Sequence, residues 1–198
     1  LPEVSYIFIK LNNKVSTAPT YNLQNRVHYG DYDIDYGAWH VPNSEFRHKK
    51  KCFDVKYKFN SFGARDDFTN KKGRYRTILL GDSVVEGYGL SKINTIDYLL
   101  EKKTNIEHLN FGTSGHFGST QYNLIYEKIY KNYEHNKVIL FITVSNDFED
   151  DSYSFGKNVH KNRYRPYVIL NENNKFELIY FNKERFKDKD FNLMELIR

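Results

Sequence analysis

Cysteine is nearly absent from this 198-residue chain, with Cys52 standing alone. One thiol excludes an internal disulfide framework and any cysteine-rich metal site, and it leaves the redox compartment open. No apolar run approaches the roughly 20 residues that a membrane-spanning helix needs. The sequence begins at Leu1 rather than Met, so a removed N-terminal signal, or an anchor upstream of this chain, is the expectation. Charge of one sign is not in large excess either. Lys and Arg total 30 against 25 Asp and Glu, a net +5, and the basic residues are scattered, so no nucleic-acid partner is expected. The one dense basic cluster, Arg47 to Lys51, reads as a solvated face. Repeats and low-complexity tracts are also missing. The 17 Tyr and 15 Phe read as composition bias and carry no functional signature.

A chain of this length buries one good core, with an arm rather than a second domain. Residues 1–73 read as an N-terminal arm of little regular structure, apolar only at Val4 to Leu11, followed by an edge strand in which Phe53, Val55, Tyr57 and Phe59 alternate with polar residues. The segment Asn60 to Asp66 is polar and turn-like, and its Arg65 and Asp66 are expected to pair locally, the alternative being that they reach towards the crevice. From residue 74 the pattern becomes α/β. Thr77 to Leu80 is a short buried strand broken by Gly81-Asp82-Ser83, which puts Ser83 at the strand's C-terminal edge. Asn94 or Thr95 caps a helix whose Ile96, Leu99 and Leu100 share a face. Ile106 to Phe111 is a second strand with a glycine-rich exit, Gly112 to Gly118. A helix capped by Ser119 or Thr120 carries the stripe Tyr122, Ile125, Tyr126, Ile129, Tyr130 and Tyr133. Val138 to Val144 is a third buried strand ending at Ser145-Asn146-Asp147. Right-handed crossovers in this βαβαβ order make the sheet parallel and bring Ser83, Gly115 and Asn146 to one edge. Residues 165–182 form an inserted β-hairpin, and Phe186 to Arg198 begin a helix.

A serine hydroxyl needs a base to become nucleophilic, and its oxyanion product needs preorganised donors. The Ser83 and Gly115 N–H groups and the Asn146 amide suit the second requirement. Gly81-Asp82-Ser83 with Gly87, then Asn110 with Gly115, then Asn146-Asp147 resemble the three leading blocks of the SGNH (GDSL) hydrolase family. The resemblance covers roughly residues 74–150. It implies a flavodoxin-like sheet, Ser83 as nucleophile, and Ser83, Gly115 and Asn146 as oxyanion donors. Asn60 to Arg65 also resembles the lead-in of SGNH-like bacterial envelope proteins, some of which handle polysaccharide acetyl groups. Serine ester hydrolysis of a small acyl ester or an acylated glycan is the implied activity, without a cofactor, with the bacterial envelope or secretion as the expected location and the cytoplasm as the alternative.

Two departures stand against the family pattern. Val144 occupies a position where the family has glycine, and no Asp-x-x-His follows Asp147. The expectation is that the sheet is C-terminally incomplete. His116, next to Gly115, is the in-chain substitute base, while His160 has Lys157 where the family has its aspartate. Asp147, Glu149, Asp150 and Asp151 lack histidines at helical spacing, so a solvated loop and no metal are expected. A phosphate loop, a dinucleotide fingerprint and an α/β-hydrolase elbow all fail on spacing. An SGNH-like module that binds glycan without catalysis, or an acyltransferase, is the alternative.

Overall fold

The computed structural model describes residues 29–67, 72, 75–129, 131–160 and 163–183. Val4 to Leu11 and Phe186 to Arg198 lie outside them. β1 (Tyr29–Asp33) and β2 (Gly37–His40) form an antiparallel hairpin, as do β3 (Glu45–Lys50) and β4 (Phe53–Lys58). The central sheet is parallel, built from β5 (Arg76–Gly81), β6 (Glu107–Gly112) and β7 (Lys137–Leu140) in the order β6-β5-β7. β8 (Arg165–Leu170) and β9 (Phe176–Phe181) make the hairpin expected near residues 165–182. The helices are α1 (Ser83–Glu86), α2 (Ile96–Thr104), α3 (Ser119–Ile129), α4 (Asp147–Asp151) and α5 (Tyr153–Val159). The chain is thus a mixed α/β protein around a three-stranded parallel sheet. None of the described helices is long and apolar enough to cross a membrane.

β5 is the axis of the core, with all six of its residues buried. Ile78 and Leu80 belong to one apolar cluster with Leu109 and Phe111 from β6, and with Tyr122, Ile125 and Ile129 from α3. Each such side chain contributes about 1.5–3 kcal/mol by leaving water. Of the stripe read from the sequence, Tyr122 on α3 and Tyr133 beyond it are core and Tyr126 packs against that core partly buried, as the 3.6-residue period implies, while Tyr130 lies outside the described residues.

Four readings of the sequence need correction. Residues 29–50 are not an irregular arm, because Tyr36, Ala38 and Trp39 join the same apolar cluster as the sheet. The alternating strand at residue 53 pairs with β3 in a sheet of its own. On α2, Leu99 is exposed and the buried position is Asp97, so the helix presents a polar anchor to the fold rather than its apolar stripe. β7 was expected to be buried, yet Val138, Ile139 and Leu140 are 40%, 39% and 48% exposed. Among the described strands β7 pairs with β5 alone, so no described strand covers its other edge.

The basic cluster also divides by the period of its strand. Along β3, Arg47 and Lys49 point outward to Asp54 of β4, whereas His48 points in. The His48 ring meets Phe53, Tyr57 and Tyr88 edge-on. Burial pushes its pKa down to about 4, and the Lys50 and Arg65 charges add to this while Glu86 opposes it. The unfolded chain therefore binds the His48 proton more readily. This group's contribution to stability is complete above pH 6.5 and is lost as the pH falls towards 4. His48→Phe should remove that loss. Melting curves should show the variant gaining on the parent by about 2 kcal/mol between pH 7 and pH 4.5, with the difference absent above pH 7.

Candidate functional site

Gly81 ends β5 and Asp82 begins the turn that aims α1 across the sheet edge. Asp82 is the N-cap of α1, its Oδ1 accepting from Val84 N at 2.9 Å. Ser83 is the first helical residue and is half-buried. α1 can sit this close to β6 because position 112 lacks a side chain: a Cβ on Gly112 would fall 2.3 Å from Glu86 N and 2.6 Å from Val85 C.

Two buried charges hold this short helix in place. Glu86, 0% exposed, accepts from Ser114 N at 2.5 Å and from the Ser114 hydroxyl, and its Oε1 lies 3.3 Å from His40 Nε2. It therefore ties α1 to the exit loop of β6. Burial acts to raise the Glu86 pKa, but His40, Ser114 and Arg65 together hold it below the ordinary value. Arg65 does not pair with Asp66 as expected. Its guanidinium donates to the carbonyls of Glu86 (2.9 Å), Gly87 (2.5 Å) and Leu90, and it stacks 3.5 Å over the Tyr57 ring. The Glu86 and Gly87 carbonyls lie at the C-terminal end of α1, where a cation is favoured, and Leu90 follows in the next turn. Asp66 instead receives Lys92 Nζ and Asn110 N, both at 2.8 Å. The Asn110 side chain donates to Val85 O and Asp97 Oδ1 and accepts from Gly112 N, joining β6 to α1 and α2.

The exit loop of β6 then turns through two residues with positive φ, Gly115 at 112° and His116 at 64°. The first value suits glycine, while the second is a strained setting for histidine. Arg165 bridges this loop to α4, donating to His116 O and to Asp150 O, the latter at 2.9 Å.

β7 stops at Leu140, short of the expected Val144, and a turn leads on to Asn146, the N-cap of α4, whose Nδ2 donates to Asp150 Oδ2 (3.1 Å) and Asp147 Oδ1 (3.3 Å). Asp147 Oδ2 accepts from Thr143 N and the Tyr122 hydroxyl. Burial pushes the Asp147 pKa up to about 6, with the neighbouring Asp82 charge adding to the effect and the Thr143 hydrogen bond opposing it. The expected solvated acidic loop is a helix whose Asp147 and Asp150 are buried.

Sequence spacing also misses a cluster of three groups. His116 Nδ1 lies 3.6 Å from Asp150 Oδ1, and His160 Nε2 lies 3.4 Å from the same oxygen. A carboxylate therefore does face His116, and His160 meets an aspartate ten residues before it rather than three. Burial acts to raise the Asp150 pKa, but His116, His160, Asn146 and Arg165 outweigh it and hold the carboxyl well below its usual range. His160 is itself pushed down, chiefly by burial. No protein-family model and no curated protein matches this chain.

Proposed function

We propose that the chain is an SGNH-like serine ester hydrolase on a flavodoxin-like sheet, and that Ser83 attacks an acyl carbonyl. The observation carrying this reading is the position of Ser83. It opens α1 directly after a fully buried parallel strand, at the sheet edge shared by the β6 and β7 exits. In this reading the N–H groups of Ser83 and Gly115 and the Asn146 amide receive the oxyanion. His116 accepts the Ser83 proton, with Asp150 beside its Nδ1 to orient the ring. A small acyl ester or an O-acetylated glycan is the substrate class, and a sugar hydroxyl in place of water would make the same site an acyltransferase.

A non-catalytic glycan-binding module is the second reading. It is favoured by the Asn146 amide, whose donors face Asp147 and Asp150. Turnover of p-nitrophenyl acetate separates the two readings. The hydrolase reading expects Ser83→Ala to lower the rate by about a thousandfold or more, to the level left by binding and the oxyanion donors. Turnover that does not depend on Ser83, or no turnover at all, overturns it.

A further inference from the structure

His116, Asp150 and His160 reach one point from three segments: the exit loop of β6, helix α4, and the residue that caps the C-terminal end of α5. One donor atom from each lies within 4.8 Å of the other two. The two imidazole rings are tilted against each other with centroids 4.6 Å apart. Asp150 turns one oxygen, Oδ1, towards both histidines, while Oδ2 is held by the Asn146 amide. Asp150 and His160 are buried, and the His116 side chain is 46% exposed, so the cluster has one open side.

We propose that His116 Nδ1, His160 Nε2 and Asp150 Oδ1 form a binding site for one divalent transition-metal ion of the zinc class, with a fourth position open to solvent. The donor set fits that class. Two imidazole nitrogens and one carboxylate oxygen suit Zn²⁺ or Co²⁺, whereas Mg²⁺ and Ca²⁺ require more oxygen ligands. The spacing fits as well. Metal–ligand bonds of about 2.0–2.1 Å in a tetrahedron separate ligand atoms by about 3.3 Å, and the two separations to Asp150 Oδ1 are 3.4 and 3.6 Å. Small ring rotations would close the site around an ion.

The surroundings are arranged as second partners of such ligands. Asn146 orients the carboxylate, and Arg165 fastens the His116 carbonyl and the Asp150 carbonyl to each other. That clamp also holds His116 in its positive-φ conformation. The charge of Arg165 opposes a cation, so the affinity is expected to fall below that of a closed four-ligand site. The proposal stands without the esterase reading. A metal bound through His116 Nδ1 and Asp150 Oδ1 occupies the atoms that pair in that reading, so His116 serves as the base only in the metal-free chain.

The test uses the full chain and its Ser83→Ala variant, stripped by chelation. Each is titrated with Co²⁺, followed by visible d–d absorption, and with Zn²⁺, followed by calorimetry. One equivalent of either ion should bind to both proteins, with Mg²⁺ and Ca²⁺ silent. His116→Ala, at an exposed position, should weaken binding at least about tenfold while the circular dichroism spectrum is unchanged. His160→Asn should do the same, and His135→Ala should not. Stoichiometry well below one, or affinity unchanged in both His116→Ala and His160→Asn, overturns the proposal.

Discussion

Glu86→Ala is expected to lower stability by about 3–5 kcal/mol, the range seen when one member of a buried charge pair is removed. The carboxylate is 0% exposed, and two donors lose their acceptor together, Ser114 N and the Ser114 hydroxyl, while the His40 ring loses the carboxylate oxygen that faces it. A buried donor left without a partner costs about 1–3 kcal/mol by itself. Gly112 already brings the β6 backbone against Glu86 N, so α1 has no room to shift towards β6 and compensate. Glu86→Gln keeps one acceptor oxygen and should fall between the parent and alanine. Urea denaturation is the measurement, read as a lower midpoint at unchanged slope. A loss below about 1 kcal/mol for alanine would show that Glu86 does not hold α1 to the β6 exit loop.

Arg65→Met is expected to cost a similar amount, about 3–5 kcal/mol, for a different reason. Methionine fills much of the buried volume over the Tyr57 ring but donates nothing to the carbonyls of Glu86, Gly87 and Leu90. The Glu86 and Gly87 carbonyls end α1, where the helix's own N–H groups cannot serve them, and Leu90 O lies in the turn that follows. Arg65→Lys separates charge from shape. A single ammonium keeps the attraction to the helix end but cannot span three acceptors set around a planar fork, so it should recover only part of the loss. Because Arg65 and Glu86 both act on α1, the double variant should lose less than the two single losses combined. Full recovery with lysine would mean that charge alone matters and that the fork geometry is incidental.

Some of this architecture is legible in the sequence. β5, β6 and the β8–β9 hairpin are set by local pattern: a β-branched run, a glycine exit, and two strands around Asn171 to Lys175. The helical period of Tyr122, Ile125 and Ile129 identifies a core face before any neighbour is known. Burial is less legible than element type. Val138 to Leu140 form the strand that their composition implies, but exposure depends on what lies on either side, and β7 has a described strand on one side only.

The candidate site divides in the same way. Ser83 and Gly115 follow strand ends, which sequence marks well, while Asn146 follows a turn beyond β7 and caps a helix. The groups that position them are not so marked, because each acts across a gap with no characteristic spacing. Arg65 reaches carbonyls 21 to 25 residues away, and Glu86 reaches Ser114 28 residues on. Asp150 and His160 meet only because α4 stops at Asp151 and α5 begins again at Tyr153, a break that removes helical register between them. The nearest sequence signal was the adjacency of His116 to Gly115, and that pointed to the loop without naming its carboxylate.

The central claim is that the β5 exit presents an activated serine. A fluorophosphonate probe tests it most directly, because it bonds covalently only to a serine that has both a proton acceptor and donors for the developing oxyanion. The chain should be labelled once, with the adduct mapped by mass spectrometry to the peptide containing Ser83, and Ser83→Ala should remain unlabelled. An unlabelled parent chain that is folded by circular dichroism, or an adduct on any other residue, would contradict the account.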